Sequence, residues 1–148
     1  MRKQQLSGTL EDYLEAVWTL QKKSGHAHVQ DIADHVGVHK STVSTALQSL
    51  VAKGLVDYKP YQTATLTEQG TRVASEINRK HRLMRRFMTS VLLLDIKTAD
   101  ENACRIEHAL DARACERLAA FMDFVEDELK TGAGWLDRFK DYIVTPRR

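Results

Sequence analysis

Apolar residues recur every three to four positions through the first third of the chain, which is the spacing of one face of an α-helix. This pattern predicts a first helix that runs from Leu10 to Gly25. It also predicts a short helix over Val29–Val36 and a third over Thr42–Ala52. Gly37 falls between the second and third helices, where a tight turn favours a residue that adopts positive φ. The segment is therefore predicted to form three packed helices with a glycine turn.

The hydrophobic period changes after the third helix. Leu55–Lys59 and Ala64–Leu66 are predicted as two short strands around a turn that contains Pro60. A long helix is predicted to follow from Thr67 to about Val91. Two short helices around a turn, followed by a two-stranded hairpin, form a winged helix-turn-helix, and helix-turn-helix proteins bind DNA.

The second half of the chain again has a helical pattern. Thr98 and Glu101 have the spacing of a capping box at the start of one helix, and Asp111 is suited to cap the next. A glycine-rich break precedes a last short helix over Trp135–Ile143, which Pro146 is predicted to end. The sequence therefore predicts a mainly α-helical protein with two domains, over residues 1–75 and 76–148.

Composition narrows the class of protein. The 148 residues are 43% hydrophobic and include only 2 prolines and 7 glycines, which excludes collagen-like and low-complexity chains. Since 22 basic residues nearly balance 20 acidic ones, net charge neither requires nor excludes a nucleic-acid partner. No apolar run approaches the roughly 18 residues of a membrane helix, and no signal peptide is visible. With only 2 cysteines, the sequence predicts a cytoplasmic protein without a disulfide scaffold.

The predicted third helix exposes short hydrogen-bonding side chains and one cation when Val43 and Leu47 face the core. Such side chains contact base edges and phosphates when a helix lies in the major groove. A polar face that meets only solvent is the alternative, and the order of the elements favours DNA binding over it. The candidate DNA-binding residues, including two from the hairpin, are His39, Lys40, Ser41, Thr42, Ser44, Thr45, Gln48, Lys59 and Tyr61.

Three side chains that bind metals are spaced i, i+3 and i+4 in the second half: Cys104, Glu107 and His108. In a helix all three project from one side, and together they suit a divalent transition metal ion. An incidental cysteine on a polar face explains this trio equally well. His81 follows Ile77 by four residues on the apolar stripe of the long helix, where a histidine is more often a core residue. It becomes a candidate ligand if other ligands converge on it.

Asp12 and Glu15 lie three residues apart on the predicted first helix, away from its apolar face. Thr9 and Asp12 also have the spacing of a capping box, so Asp12 is equally suited to cap the helix. Glu15 is equally suited to be a solvated side chain. Spacing alone leaves these alternatives open.

Four features of the chain resemble one known family. They are Leu10–Glu15, the winged helix-turn-helix pattern, Arg79–Leu83 and Ala103–His108. In this order, and over almost the whole chain, they are similar to the DtxR/MntR family of iron- and manganese-dependent transcriptional repressors. The resemblance implies a winged-helix DNA-binding domain followed by a helical metal-binding and dimerisation domain. The chain is shorter than members with a third, SH3-like domain, and resembles the two-domain manganese branch.

The resemblance also implies a ligand set. The positions that match the manganese-type pattern are Asp12, Glu15, His81, Glu107 and His108. Cys104 is the sixth candidate ligand and departs from that pattern, since manganese-type members usually carry glutamate there and iron-type members carry cysteine. Arg85 and Asp100 stand where an iron-type ancillary site has glutamate and histidine. The predicted cofactor is Mn²⁺, with Fe²⁺ as the alternative, and Zn²⁺ or Co²⁺ are also able to bind.

The resulting prediction is a metal-activated repressor, not an enzyme, that binds palindromic operator DNA as a homodimer and controls metal homeostasis genes. Ligands from the first helix, the long helix and the second domain imply that the metal fixes the DNA-binding domain. One alternative is a winged-helix regulator that senses an organic ligand, with the metal trio incidental. Another is a small zinc hydrolase with Glu107 or Glu15 as its base, although the chain has no HExxH motif.

Overall fold

The computed structural model describes residues 6–132 and 134–145 and confirms the mainly α-helical class. The chain divides into two compact units, Met1–Arg79 and Lys80–Arg148, within its longest helix. The predicted domains 1–75 and 76–148, with a separate role for each, stay a prediction. No helix of the described residues is long and apolar enough to cross a membrane. The elements are α1 (Gly8–Ser24), α2 (Val29–Val36), α3 (Lys40–Ala52), β1 (Val56–Asp57), β2 (Thr65–Leu66), α4 (Glu68–Ser90), α5 (Ile96–Ile106), a 3-10 turn (Glu107–Ala109), α6 (Ala112–Lys130) and α7 (Trp135–Val144).

Three helices form the core of the first unit. Leu14, Ile32 and Leu47 come from α1, α2 and α3 respectively, and all three are fully buried. Gly37 ends α2 with φ +79°, and its N–H donates to the carbonyl of Ala33 at 2.8 Å. This is the positive-φ turn that the sequence predicts between the two helices, and it sets the direction in which α3 leaves it.

The start of α1 differs from one sequence interpretation. The side chain of Ser7 caps the helix by accepting a hydrogen bond from the N–H of Leu10 at 3.4 Å. Asp12 therefore lies inside the helix, and the interpretation of Thr9 and Asp12 as a capping box is wrong. A serine directly before the first helical residue takes that role instead.

The hairpin is shorter than predicted. β1 and β2 pair antiparallel over two residues each, whereas the sequence predicts strands over Leu55–Lys59 and Ala64–Leu66. Pro60 has no backbone N–H to donate, and Tyr61 adopts φ +66°, so the ladder cannot continue into the loop. Ala64 pairs instead with the segment before α2. The result is a long wing loop on a short base.

Gly70, in the first turn of α4, lies against the backbone of Leu55. A Cβ on Gly70 would lie 2.8 Å from the carbonyl carbon of Leu55 and even closer to its oxygen. We expect G70A to lower the free energy of unfolding by roughly 1–3 kcal/mol, because α4 must move away from the wing. Denaturant unfolding measures this loss. G134A is the matched control, since Gly134 has φ −74° and no atom within 4 Å of an added Cβ; equal losses in the two variants would refute the packing argument.

The second unit packs α4, α5 and α6 around apolar side chains. Met122 and Val125 of α6 are fully buried in one cluster, and Met84, Met88 and Ala103 form another. These clusters hold the C-terminal half of α4 against α5 and α6. They thereby place the polar residues that α4 and α5 carry.

Helix starts in this unit confirm one prediction and contradict another. Asp111 caps α6 by accepting a hydrogen bond from the N–H of Ala114 at 2.7 Å, as predicted. The capping box of Thr98 and Glu101 is wrong, because Asp95 caps α5 and Thr98 lies in its first turn. Hydrogen bonds from the side chain and backbone of Thr98 lower the pKa of Asp95, so this cap weakens as pH falls through that value.

The last helix is close to its prediction. α7 spans Trp135–Val144, one residue beyond the predicted Ile143. Gly134 precedes it without a side-chain cap. Pro146, which is predicted to end the helix, lies outside the described residues.

Candidate metal centre and nucleic-acid interface

A histidine–glutamate pair with a fully buried glutamate lies in the second unit. α4 carries His81, whose Nδ1 is 2.7 Å from Oε2 of Glu107. Glu107 is fully buried, and it is the one charged residue so buried within residues 6–132 and 134–145. A buried carboxylate is costly unless it is paired, so a charge at this position needs partners. His81 supplies one of them.

The backbone tightens where Glu107 begins. α5 ends at Ile106, and Glu107–Ala109 forms a 3-10 turn, so the prediction of one continuous α-helix through the three candidate ligands is wrong. Lys80 holds the end of this turn, because its Nζ donates to the carbonyl of Leu110 at 2.8 Å. A 3-10 turn has about three residues per turn instead of 3.6. The side chains of Glu107 and His108 therefore project in directions that differ from those they would have if α5 continued as an α-helix.

Cys104 and His108 complete a group of four donors in the second unit. A ring nitrogen of His108 and the Sγ of Cys104 lie within 4.8 Å of each other. Nε2 of His108 is also 3.8 Å from Oε1 of Glu107. The unit thus brings His81, Cys104, Glu107 and His108 together, with Glu107 between the two imidazoles.

One atom of this group lacks a hydrogen-bond partner among the described residues: the buried Oε1 of Glu107. Leaving a buried polar atom unsatisfied costs about 1–3 kcal/mol, so native proteins rarely do so without a reason. A bound cation would satisfy this oxygen. Two imidazoles, one carboxylate and one thiol are ligands that divalent transition metals accept, so the residues present fit a metal ion.

Asp100, which is itself paired with Arg85, forms a second contact with the His81 ring that sequence reasoning missed. Nε2 of His81 is 3.2 Å from Oδ1 of Asp100, and Nη1 of Arg85 donates to the same oxygen at 3.3 Å. In the sequence these two residues stand out only as departures from an iron-type ancillary site. The one sequence signal is the four-residue spacing of His81 and Arg85, which places the two side chains on the same side of a helix.

Asp12 and Glu15 belong to the first unit. Both are half-buried on α1, three residues apart, while Leu14 and Val17 of the same helix are fully buried. The two carboxylates therefore lie at the border of the apolar face rather than on an open surface. Their role as metal ligands stays a prediction.

α3 presents the predicted polar surface. It begins at Lys40 rather than at the predicted Thr42, with His39 as its N-cap, so the polar surface includes the helix N-terminus. Val43 and Leu47 are fully buried, as the pattern predicts. Ser44 is half-buried, which sets it apart from its neighbours. The exposed candidates on this helix and its cap are His39, Lys40, Ser41, Thr42, Thr45 and Gln48.

The wing loop carries the remaining candidates. Lys59 and Tyr61 are exposed, and the positive φ of Tyr61 turns its side chain wholly into solvent. Gln62 beside them is exposed as well. An exposed cation, an aromatic ring and an amide are all able to meet a DNA backbone.

Comparisons with known proteins identify the family. Residues 5–64 match the family described as "Iron dependent repressor, N-terminal DNA binding domain". "Iron dependent repressor, metal binding and dimerisation domain" matches residues 67–132. Together these two matches cover most of the winged helix and most of the second unit. The alternative of an organic-ligand sensor finds no support in them.

Individual relatives agree with these matches. The chain is 36% identical over 125 residues to an uncharacterised HTH-type transcriptional regulator of Methanocaldococcus jannaschii, with 84% of this chain and 100% of the relative covered. It is 32% identical over 126 residues to the HTH-type transcriptional regulator MntR of Listeria monocytogenes, covering 83% of this chain and 88% of that one.

Solved structures show the same relationship. A manganese-dependent transcriptional repressor in complex with manganese is 32% identical, with TM-score 0.72 over 78% of this chain and 53% of that one. The manganese regulator SloR is 29% identical, with TM-score 0.70 over 78% and 54%. The chain spans about half the length of these solved structures. This chain therefore belongs to the DtxR/MntR family of metal-dependent transcriptional repressors, which are DNA-binding proteins and not enzymes.

Proposed function

We propose that this protein is a Mn²⁺-activated repressor of metal homeostasis genes that acts in the cytoplasm, with Fe²⁺ as the alternative activating ion. The observation that carries the proposal is Glu107, a fully buried carboxylate with one unsatisfied oxygen between two imidazoles. Manganese is favoured because two similar solved structures are those of a manganese regulator and of a manganese-dependent repressor. Zn²⁺ and Co²⁺ are also able to bind such donors, since Mn²⁺ is the weakest binder in the divalent series.

Asp12 and Glu15 complete the proposed ligand set. Hard carboxylate oxygens suit Mn²⁺, and Glu107 is the one carboxylate among the four donors His81, Cys104, Glu107 and His108. The side chains of Asp12 and Glu15 are half-buried on α1, so a bound cation would compensate charges that water only partly solvates. With ligands from both units, the bound metal would hold the winged helix in one orientation. Without metal that order must be imposed when DNA binds, which weakens binding.

Operator DNA is the proposed partner of α3. The first turn of this helix contains Lys40 and no acidic residue, so its N-terminus attracts phosphate. Ser41, Thr42 and Thr45 are exposed beyond it and are short enough to reach base edges in the major groove. Lys59 and Tyr61 of the wing loop would contact the neighbouring backbone.

A homodimer is the proposed DNA-binding species. Phe121 and Phe124 of α6 are 40% and 55% exposed, and the Phe121 ring packs on Phe87 at 6.2 Å. Exposed aromatic rings of this kind are typical of protein interfaces. Two copies would present two α3 helices to half-sites about one DNA turn, ~34 Å, apart.

A selection experiment tests the proposal as a whole. The full chain is incubated with a random duplex DNA library in the presence of Mn²⁺, and bound DNA is recovered in every selection by protease digestion of the protein. We expect a palindromic sequence to be enriched, since a symmetric dimer reads two equal half-sites. Parallel selections with Fe²⁺ under anaerobic conditions and with no added metal identify the activating ion. Enrichment of the same sequence without metal would refute metal activation.

We expect T45A and K40A to affect binding of the selected operator differently. T45A should weaken specific binding more than non-specific binding, because a base contact carries the sequence information. K40A should weaken both and reduce the salt dependence, because a phosphate contact releases counterions. Anisotropy titrations at several salt concentrations measure both effects.

T71A is the control for T45A. Both hydroxyls donate to the carbonyl four residues earlier, Thr45 to Ser41 and Thr71 to Thr67, and both residues are exposed. T71A therefore removes the same local hydrogen bond on α4 rather than on α3. If T45A and T71A behave alike, or if T45A and K40A lose the same specificity, α3 does not read bases as proposed.

A further inference from the structure

We propose that Asp100, held by Arg85, positions the ring of His81 for metal binding. The inference rests on the metal site proposed above and adds two residues that lie outside its ligand set. Asp100 is a positioning residue, because it acts on the metal only through His81.

The ring of His81 lies between two carboxylates. Its Nδ1 is 2.7 Å from Oε2 of Glu107, and its Nε2 is 3.2 Å from Oδ1 of Asp100. A cation shared by Glu107 and His81 must use the lone pair of Nδ1. The ring hydrogen then has to be on Nε2, which donates a hydrogen bond to Oδ1 of Asp100. A carboxylate in this outer position fixes the tautomer and the orientation of a ligating imidazole and strengthens it as a donor.

Arg85 fixes Asp100 in turn. It follows His81 by one helical turn on α4, and its Nη1 donates to the same Oδ1 at 3.3 Å. A guanidinium is permanently charged, so it compensates the charge of Asp100 whatever the metal load. This pairing keeps Asp100 as an acceptor for the ring rather than as a further ligand. The positive charge also opposes a second cation on the Nε2 side of His81.

An ordinary ion pair between helices is the competing explanation, and the chain contains a close comparison. The next residue along α4, Arg86, pairs with Glu126 of α6. The side chains of this pair are 38% and 51% exposed, against 43% for both Arg85 and Asp100. If both pairs have a purely structural role, removal of either carboxylate, Asp100 or Glu126, should have the same effect on the protein.

Metal affinity of the full chain distinguishes the two explanations. Apo-protein is titrated with Mn²⁺ and with Co²⁺, the latter followed by its absorption. We expect D100A to weaken binding of both ions at least ~10-fold, the usual cost of losing an outer carboxylate. D100N should recover most of the affinity, since its amide oxygen still accepts a hydrogen bond from Nε2. E126A, the matched control, should bind both ions like the wild type.

The ring itself provides a second measurement. In ¹⁵N-histidine spectra of the Zn²⁺-loaded protein, a diamagnetic form, we expect His81 of the wild type to carry a protected hydrogen on Nε2, and D100A to lose it. Wild-type affinity and an unchanged ring signal in D100A would overturn the proposal, as would equal losses in D100A and E126A. If the wild type itself binds neither Mn²⁺ nor Co²⁺, the proposed function fails instead.

Discussion

H81A should abolish metal-dependent DNA binding at metal concentrations that saturate the wild type. The His81 ring is one of four donor groups gathered in the second unit, and it is within hydrogen-bond distance of the buried Glu107. Its removal deletes a ligand and leaves a second Glu107 oxygen without its partner. An unsatisfied buried polar atom costs about 1–3 kcal/mol, so the apo-protein should also lose some stability. Anisotropy titrations of the selected operator with and without Mn²⁺ measure the first effect.

H108A tests metal ligation without removing the contact between His81 and Glu107. The His108 ring is 3.8 Å from Glu107, beyond hydrogen-bond distance, so its removal leaves the pair of His81 and Glu107 in place. We expect H108A to lose the response to metal although this pair is intact. H35A is the control, because His35 is an exposed histidine in the last turn of α2. A wild-type response to Mn²⁺ in either H81A or H108A would show that the proposed site is wrong.

Periodic burial explains why most of the fold was predictable. α2 begins and ends where the apolar spacing predicts, and Gly37 takes the left-handed conformation that its position requires. The winged order of elements was predictable because the hydrophobic period changes at Leu55, directly before β1 begins at Val56. Such features are local, so a few neighbouring residues determine them.

Features that depend on tertiary contacts were harder to predict from the sequence. In the sequence Gly70 cannot be distinguished from any other glycine in a helix, because its constraint is the backbone of Leu55 packed against it. The cap of α5 is Asp95 rather than Thr98, because both residues have capping side chains and packing decides between them. The capping patterns of sequence alone therefore locate a helix start only to within a turn.

The candidate site was predictable in its ligand types and not in its arrangement. The spacing of Cys104, Glu107 and His108 suggests one continuous helical face. The residues after Ile106 instead form a 3-10 turn, and of the three candidate ligands Glu107 alone is fully buried. No local pattern marks that change, since it depends on the contact of Glu107 with a ring on another helix. The role of Asp100 is hidden for the same reason.

C104E should convert the site to a manganese-type site. We expect the variant to keep Mn²⁺-activated DNA binding and to lose relative affinity for Fe²⁺, Co²⁺ and Zn²⁺. The substitution replaces a soft sulfur ligand with a hard oxygen ligand, and sulfur favours the later metals of the series over Mn²⁺. Cys104 is half-buried beside His108, within reach of the other donors. Operator titrations with each ion under anaerobic conditions measure how the relative affinities for the four ions change.

Absorption of the Co²⁺ form tests the same replacement directly. The wild type should show a thiolate-to-metal charge-transfer band that C104E lacks. Since a thiol must lose a proton to bind, wild-type affinity should also rise more steeply with pH than that of C104E. C115A is the matched control, because Cys115 is a free but fully buried thiol in α6 and should leave the band unchanged. Absence of the band in the wild type would remove Cys104 from the ligand set and leave Asp12, Glu15, His81, Glu107 and His108.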